Sequence, residues 1–271
     1  MNQVALTREL EDADFQVFSQ YANDFAGIQL HDGKRHLVIS RLIRRVRSLG
    51  LSSLADYRTF LQNNTSAERE HFINAITTNL TSFFRESHHF DYFKDWALKE
   101  HHGQIRVWSS ACSTGQEPYS IAIAAQEAGF ASRCAIHATD IDSQCVGKAQ
   151  QGIYPITELE ELDTQACKRH FLRGDGDNAG KVRVKSHLTD MVEFRQLNLL
   201  EDWPQDLRFD VIFCRNVFIY FDEATQNKIL RKFYQVLEPN GVLFLGHSES
   251  QRDTADLFAM DGRTTFRRMQ G

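Results

Sequence analysis

The chain has 271 residues, 42% hydrophobic and 25% charged, with a net charge of −5, an ordinary globular composition with room for one large domain or two modest ones. No apolar run approaches the roughly 18–20 residues of a membrane span, and the opening "MNQVALTRELEDADF" carries acids instead of the apolar core of a secretory signal. The five cysteines, an odd number with no Cys-x-x-Cys pair, argue against a disulfide framework or a zinc ribbon, so a reducing, cytoplasmic location is expected.

In chain order, apolar residues first recur at helical spacing in "DFQVFSQYANDFAGI", "HLVISRLIRRVRSLGL" and "LADYRTFLQ", with Gly27, Gly33 and Gly50 at helix ends. No strand signal interrupts them, which predicts an all-helical N-terminal domain over residues 1–75. Within it, "KRHLVISRLIRRVR" holds six Lys/Arg and no acid. At about 100° per residue, Lys34, Arg41, Arg44, Arg45 and Arg47 share one side of a helix, opposite Ile39, Leu42, Ile43, Val46 and Leu49. Such a face is either a solvated surface or a dock for an anionic partner that relieves the repulsion between its cations. An acidic protein helix suits it better than nucleic acid, since the rest of the chain is acidic and the face has few aromatics for base stacking.

Residues 76–103 read as a linker that contributes to a ligand site. Its stretch "TTNLTSFFRESHHF" sets Asn79, Thr81 and Arg85 among apolar neighbours, ahead of a helix capped near Ser87. Asn and Thr there either cap free backbone groups or face a ligand. The adjacent His88 and His89 lack a nearby cysteine, third histidine or spaced acids, so no metal is expected.

From residue 104 to 271 strands alternate with helices: "IRVWSSA", "CAIHATDID", "FDVIFCRN" and "GVLFLGHS" as strands, with "EPNG" as a turn before the last. That rhythm predicts an α/β domain with a mainly parallel sheet. Residues of about 155–195 break it, and the alternation in "KVRVK" and "VEFRQL" predicts a small inserted antiparallel subdomain.

Ligands of such sheets bind beyond the carboxyl ends of the strands. There "ACSTGQEP" offers a single glycine, Gly115, which lets the backbone approach a ligand, and Glu117 opens the following helix. Asp140 lies twenty-five residues beyond Gly115, near the spacing of an acid that grips ribose hydroxyls. Asn198 and Leu199 in "QLNLL" suit an adenine edge and face, and "CRNVFIYF" adds Asn216, Val217 and Tyr220. Bland readings stand beside these: Asp140 as a helix N-cap, Glu117 as a first-turn carboxylate favoured by the helix dipole, Tyr220 as packing. The missing Gly-x-Gly leaves little room for a pyrophosphate, which favours a phosphate-free nucleoside, S-adenosylmethionine, over a dinucleotide.

Together "NLTSFFRESHHF", "RVWSSACSTGQEPYSIAI", "ATDID", "FCRNVFIYFD" and "LFLGHSES" resemble the chemotaxis receptor methyltransferases, CheR, in order through nearly the whole chain. The resemblance implies a Rossmann-like S-adenosylmethionine-dependent methyltransferase domain with an antiparallel β insertion, preceded by the helical domain. It implies methyl transfer to glutamate side chains on the cytoplasmic helices of chemoreceptors, with S-adenosylhomocysteine as product and no membrane insertion. By the same resemblance, Asn79, Thr81, Arg85, Glu117, Asp140, Asn198, Leu199, Asn216 and Val217 hold the cofactor, and Arg85 and Tyr220 lie near the transferred methyl. Lys34, Arg41, Arg44 and Arg47 face the receptor, while Arg173 and Arg183 are candidates for docking a receptor C-terminal peptide. Cys112 departs from the small residue common there and raises the question of oxidation sensitivity. A nucleic-acid methyltransferase and a non-catalytic docking module are the other two readings of the same features.

Overall fold

The computed structural model describes residues 10–204, 206–250 and 254–270. The first nine residues of the expected helical domain, and with them most of the opening stretch read as lacking a signal, lie outside the described residues. The chain divides into two compact units, one of residues 1–78 with Tyr220–Asp222, the other of Asn79–Ile219 with Glu223–Gly271.

The first unit is helical: α1 (Asp12–Ala26), α2 (Arg35–Ser48), α3 (Leu54–Asn63) and α4 (Thr65–Ile76). Helix α1 stops where Gly27 takes φ 68°, a conformation glycine adopts without a Cβ penalty. The start of α3 is fixed by Ser53, whose hydroxyl accepts the Asp56 N–H at 3.0 Å. Gly33 does not end a helix; it sits in a single 3₁₀ turn (Asp32–Lys34) that leads into α2. The apolar stripes meet in a core of Phe18, Leu42, Val46, Tyr57, Leu61 and Phe72, with the Phe18 ring centroid 5.9 Å from Tyr57 and 6.0 Å from Phe72.

The second unit opens with α5 (His88–Lys99) and continues β1 (Ile105–Ser109), α6 (Gln116–Glu127), β2 (Cys134–Asp140) and α7 (Ser143–Gln151). Then come β3 (Ile153–Pro155), α8 (Thr164–His170), β4 (Phe171–Arg173), β5 (Lys181–Val184), α9 (Ser186–Thr189) and β6 (Val192–Gln196). It closes with β7 (Phe209–Cys214), α10 (Glu223–Val236), β8 (Leu237–Leu245), β9 (Phe258–Gly262) and β10 (Thr265–Arg268). Among the described residues seven strands form one sheet in the order β6-β2-β1-β7-β8-β10-β9. The first five are parallel, and β10 and β9 run antiparallel at one edge. Strand order reverses between β1 and β7, the place where open α/β sheets leave a crevice for a ligand.

One sheet face is covered by α5 and α6: Phe90, Phe93 and Trp96 join Ile105, Val107, Ile121 and Phe213 in a buried cluster. The stretch read as a linker is thus part of this core. On β1 the alternate residue Trp108 points into a second aromatic group, 4.7 Å from Trp203, 5.1 Å from Phe209 and 5.4 Å from Phe233 of α10. Alternation therefore buries β1 on both faces, as a central parallel strand requires.

The insertion is a three-stranded antiparallel sheet of order β3-β5-β4. It does not include "VEFRQL". That segment is β6, paired parallel with β2 from Ile136–Val192 to Asp140–Gln196 as the edge of the main sheet. Its alternation marks a half-covered edge, which looks the same in sequence as a hairpin strand. "EPNG" likewise lies within β8, where Asn240 takes φ 63° and the pairing with β7 slips. Ser87 precedes α5 without a side-chain capping bond. No helix among the described residues is long and apolar enough to cross a membrane.

Candidate active site

The carboxyl ends of β1, β2, β6 and β7 carry the motif residues of the second unit. Beyond β2, Asp140 is buried, and its carboxylate accepts the Ser113 N–H at 2.7 Å and the Asp142 N–H at 2.9 Å. It is not the helix cap: Asp142 caps α7, accepting the Gln144 and Cys145 N–H groups at 2.9 and 3.2 Å. Burial pushes the Asp140 carboxyl up to about 6 despite those backbone donors. Asn79 reaches the same corner, donating from Nδ2 to Asp142 at 2.8 Å and accepting the Ser113 hydroxyl on its carbonyl at 3.0 Å. The stretch 79–85 is thereby tied to the ends of β1 and β2. Thr81 and Arg85, both half-buried, follow on it.

Gly115 also meets a packing need within the chain. With φ 99°, a Cβ there would lie 2.7 Å from the Tyr154 hydroxyl and 2.8 Å from the Ala149 Cβ. The glycine lets α7 and β3 close over the start of α6, and Tyr154 donates its hydroxyl to the Thr114 carbonyl at 2.7 Å. Tyr154 and Ala149 occupy one side of this helix start, which crowds a pyrophosphate there. Buried carboxylate, hydroxyls and amides at the neighbouring strand ends suit a phosphate-free nucleoside instead.

Glu117 is buried in an ion pair. It accepts the Ser109 hydroxyl at 2.7 Å and Arg215 Nη1 at 3.0 Å. Its burial outweighs the Arg215 charge and raises its carboxyl above the ordinary value. Arg215, with a side chain 2% exposed, also lies 3.6 Å from Glu86 Oε2 and donates to the Arg85 carbonyl. Burial alone would raise Glu86, but Arg215 and hydrogen bonds from Asn216 and His247 hold its carboxyl down at about 2. Arg85 itself donates to the Leu80 carbonyl at 2.9 Å.

Asn216 takes φ 59°, with its N–H on Glu249 Oε2 at 2.9 Å and its Nδ2 on Glu86 Oε1 at 3.3 Å. Glu249 also accepts the Phe218 N–H at 2.7 Å and the Gly246 N–H at 2.5 Å, so one carboxylate holds the loop that carries Asn216 and Val217. A Cβ on Gly246 would meet Asn216 Nδ2 at 2.6 Å, which leaves room only for glycine. Four of the non-glycine residues with positive φ belong to these loops: Phe84 at 50°, Glu86 at 56°, Ser113 at 49° and Asn216 at 59°. Each such residue costs roughly 1–2 kcal/mol, and the side-chain bonds just described hold three of them in place. Phe84 is held by the Ser120 hydroxyl, which accepts its N–H at 2.9 Å.

Asn198 and Leu199 follow β6 and are buried. Asn198 Oδ1 accepts the Leu200 N–H at 3.0 Å, so that oxygen is committed to its own turn. Lys232 of α10 donates to the Leu199 carbonyl at 2.9 Å and to that of Glu201, and lies 3.9 Å over the Trp203 ring. Burial lowers its ammonium to about 8. Cys112 is fully buried, and desolvation, with Asp140 and Glu117 nearby, raises its thiol well above the ordinary value. A protonated, inaccessible thiol is inert toward oxidation.

Tyr220 clusters with the helical unit. Its carbonyl accepts the Gln29 N–H at 2.8 Å, its hydroxyl lies 3.5 Å from the Thr78 carbonyl, and Lys34 Nζ sits 5.3 Å from its ring centre. In that unit the cations of α2 separate by task. Arg45 makes a two-pronged bond to buried Glu68 at 2.7 and 2.6 Å, and Tyr57 donates to the same carboxylate at 2.8 Å. Arg41 donates to the Ile76 and Thr77 carbonyls at the end of α4, where the helix dipole welcomes a cation. Arg44 and Arg47 stay exposed. The repulsion read from α2 alone is thus answered in part by α4, at Arg41 and Arg45, and by Asp12 and Asp32 at Arg35. On the insertion, Arg173 and Arg183 are exposed, and Arg183 pairs in register with exposed Ile153 and Leu172.

Sequence reasoning missed Arg215, Glu249, Asp142 and Lys232. Only Arg215 left a signal: a charge abutting the apolar run "VIFC" must find a buried partner.

Residues 13–77 match a family model described as the CheR methyltransferase all-alpha domain, and residues 79–266 one described as the CheR methyltransferase SAM binding domain. The chain is 48% identical over 261 residues to the chemotaxis protein methyltransferase of Salmonella typhimurium, covering 95% of this chain and 90% of that one. It is 47% identical over 261 residues to the protein of the same name from Escherichia coli, covering 95% and 91%. With chemotaxis protein methyltransferase 2 of Pseudomonas aeruginosa it shares 46% over 258 residues, covering 93% and 92%.

Proposed function

The chain belongs to the CheR methyltransferase family, and from that premise we propose that it methylates glutamate side-chain carboxylates on the cytoplasmic helices of chemoreceptors, forming methyl esters for chemotactic adaptation. As a family member it is an S-adenosylmethionine-dependent methyltransferase; the acceptor is our reading. What carries it is likeness at 46–48% identity, over nine-tenths or more of each chain, to proteins named chemotaxis protein methyltransferase. In this reading residues 1–75 recognise the receptor, 76–103 contribute to the cofactor site and 104–271 carry out transfer. The enzyme works in the cytoplasm, at membrane-bound receptor arrays.

S-adenosylmethionine supplies an electrophilic methyl on a positively charged sulfur. Asp140 is the group we assign to the ribose hydroxyls, with Asn198 and Leu199 at the adenine. Asn79, Thr81, Arg85, Asn216 and Val217 hold the remainder, and Glu117 acts through Arg215, which it orients. A glutamate acceptor is already ionised at neutral pH, so the protein needs no general base. Its task is to bring a carboxylate oxygen into line with the methyl and to exclude water. We assign that alignment to Arg85 and Tyr220. With the cofactor bound, these two residues would hold the acceptor oxygen on the line of its methyl, and no proton would have to be moved.

Arg44 and Arg47, with Lys34 and Arg41 beside them, supply a cationic face for an acidic receptor helix in this reading, and Arg173 and Arg183, both exposed, are the residues we assign to a receptor C-terminal peptide. The test is transfer of labelled methyl from S-adenosylmethionine to chemoreceptor-containing membranes. Label on receptor that leaves as methanol in mild base supports the ester. Cofactor binding without label on any of several receptors would overturn the reading in favour of a docking module.

A further inference from the structure

The histidine pair at the start of α5 lacked an acid in the sequence reading, and the fold supplies one. Glu86, turned back by its φ of 56°, brings its carboxylate to the first turn of that helix. One oxygen of Glu86 and one ring nitrogen each from His88 and His89 lie within 4.8 Å of one another. Glu86 Oε2, His88 Nε2 and His89 Nδ1 are all buried, and none has a hydrogen-bond partner among the described residues. Buried polar atoms without a hydrogen-bond partner are rare in a folded interior, and each residue of this group carries one.

The tautomer of His89 sharpens the point. Thr264 donates its hydroxyl to the Arg263 carbonyl at 2.8 Å, so at 2.9 Å it must accept the proton of His89 Nε2. In neutral His89 the lone pair is then on Nδ1, which faces Glu86 Oε2 at 3.8 Å. A ring held through its other nitrogen by an oxygen is also the usual support of a metal-ligating histidine. The Glu86 carboxylate is supported in the same way, its Oε1 3.3 Å from Asn216 Nδ2 and 3.3 Å from His247 Nδ1. Arg215 stands 3.6 Å from Glu86 but 3.0 Å from Glu117, so two carboxylates share one guanidinium and the local charge stays negative.

We propose that Glu86, His88 and His89 form a site for one divalent transition-metal ion of the zinc class, which no reading of the methyl transfer requires. Two imidazoles and a carboxylate are a borderline donor set that suits zinc or cobalt, whereas magnesium and calcium prefer oxygen alone. Three protein ligands leave a fourth position open.

The test uses full-length, tag-free protein stripped with chelator and titrated with Zn(II) or Co(II) alone. One equivalent of Zn(II) per chain should bind by calorimetry, and Co(II) should give visible absorption without thiolate bands. His88→Ala should weaken binding at least about 100-fold and His247→Ala about 10-fold, the range for losing a ligand and a supporting group. His88 is only half-buried, so His88→Ala should melt like wild type when metal-free. Absence of stoichiometric uptake by the wild type would overturn the proposal without recourse to any variant. Uptake unchanged in a folded His88→Ala, or thiolate bands with Co(II), would overturn it too.

Discussion

At Asp140, burial and the cofactor role we propose pull in opposite directions. The carboxyl is pushed up to about 6 by burial, so the folded protein binds its proton more tightly than the unfolded chain does. Between the ordinary carboxylate range and about 6, this group favours the fold as pH falls, while the ionised form proposed to accept ribose hydroxyls is lost. Cofactor affinity should therefore drop as pH falls through about 6. Asp140→Asn should weaken binding about 10–100-fold at neutral pH, the worth of one or two hydrogen bonds to a charged group, and should flatten that pH dependence. Calorimetric titration across pH checks both, and unchanged affinity in the variant would remove Asp140 from the site. Tyr220→Phe makes the complementary case: turnover should fall about 10-fold or more, as for a lost transition-state contact, with cofactor affinity unchanged. Equal losses in both would refute an aligning role. At this scale sequence named the strand-end residues but not what holds them. Asp140, Asn216 and Glu117 stand out because they end or follow strands in sequence, whereas Arg215 and Glu249 act through contacts between residues distant in the chain.

The elements repeat the pattern. Periodicity marks α1, α2, α6, α10 and the buried strands because burial selects apolar residues at fixed intervals. It says nothing of partners, which is why β6 could be read into the insertion when it pairs with β2. Gly115 was legible as a point of close backbone approach before α6, but not as the gap that admits Tyr154 and Ala149. In α2 the run of cations was legible, while the acid that neutralises Arg45 lies on α4. Burial alone would raise that acid, Glu68, yet hydrogen bonds from Arg45 and Tyr57 hold it below its ordinary value. Glu68→Ala leaves a guanidinium and a phenol without their partner and should cost about 3 kcal/mol. Denaturant unfolding measures that loss, and a change within experimental scatter would mean the network contributes nothing net.

Across the whole molecule, the division of labour follows from where charge is left unspent. Arg41 and Arg45 are engaged inside the helical unit, so Arg44 and Arg47 are the cations of α2 left to meet an acidic partner. Arg44→Glu with Arg47→Glu should weaken receptor methylation about 10-fold or more, as several charge pairs reversed in sign would, and leave cofactor affinity intact. The rate on wild-type receptor should also fall with added salt. An unchanged rate would return the face to solvent. The order of elements and the motif spacing made the sheet and its ligand edge legible from sequence, because parallel strands alternate with helices in few ways. The acceptor is the least legible part, since it is another molecule's side chain. The most direct measurement is therefore fragmentation mass spectrometry of a chemoreceptor cytoplasmic fragment after incubation with the enzyme and S-adenosylmethionine. The account predicts added methyl on particular glutamates, removed by mild base. Base-stable methyl on a nitrogen, or methyl on no glutamate at all while the enzyme binds its cofactor, would contradict it.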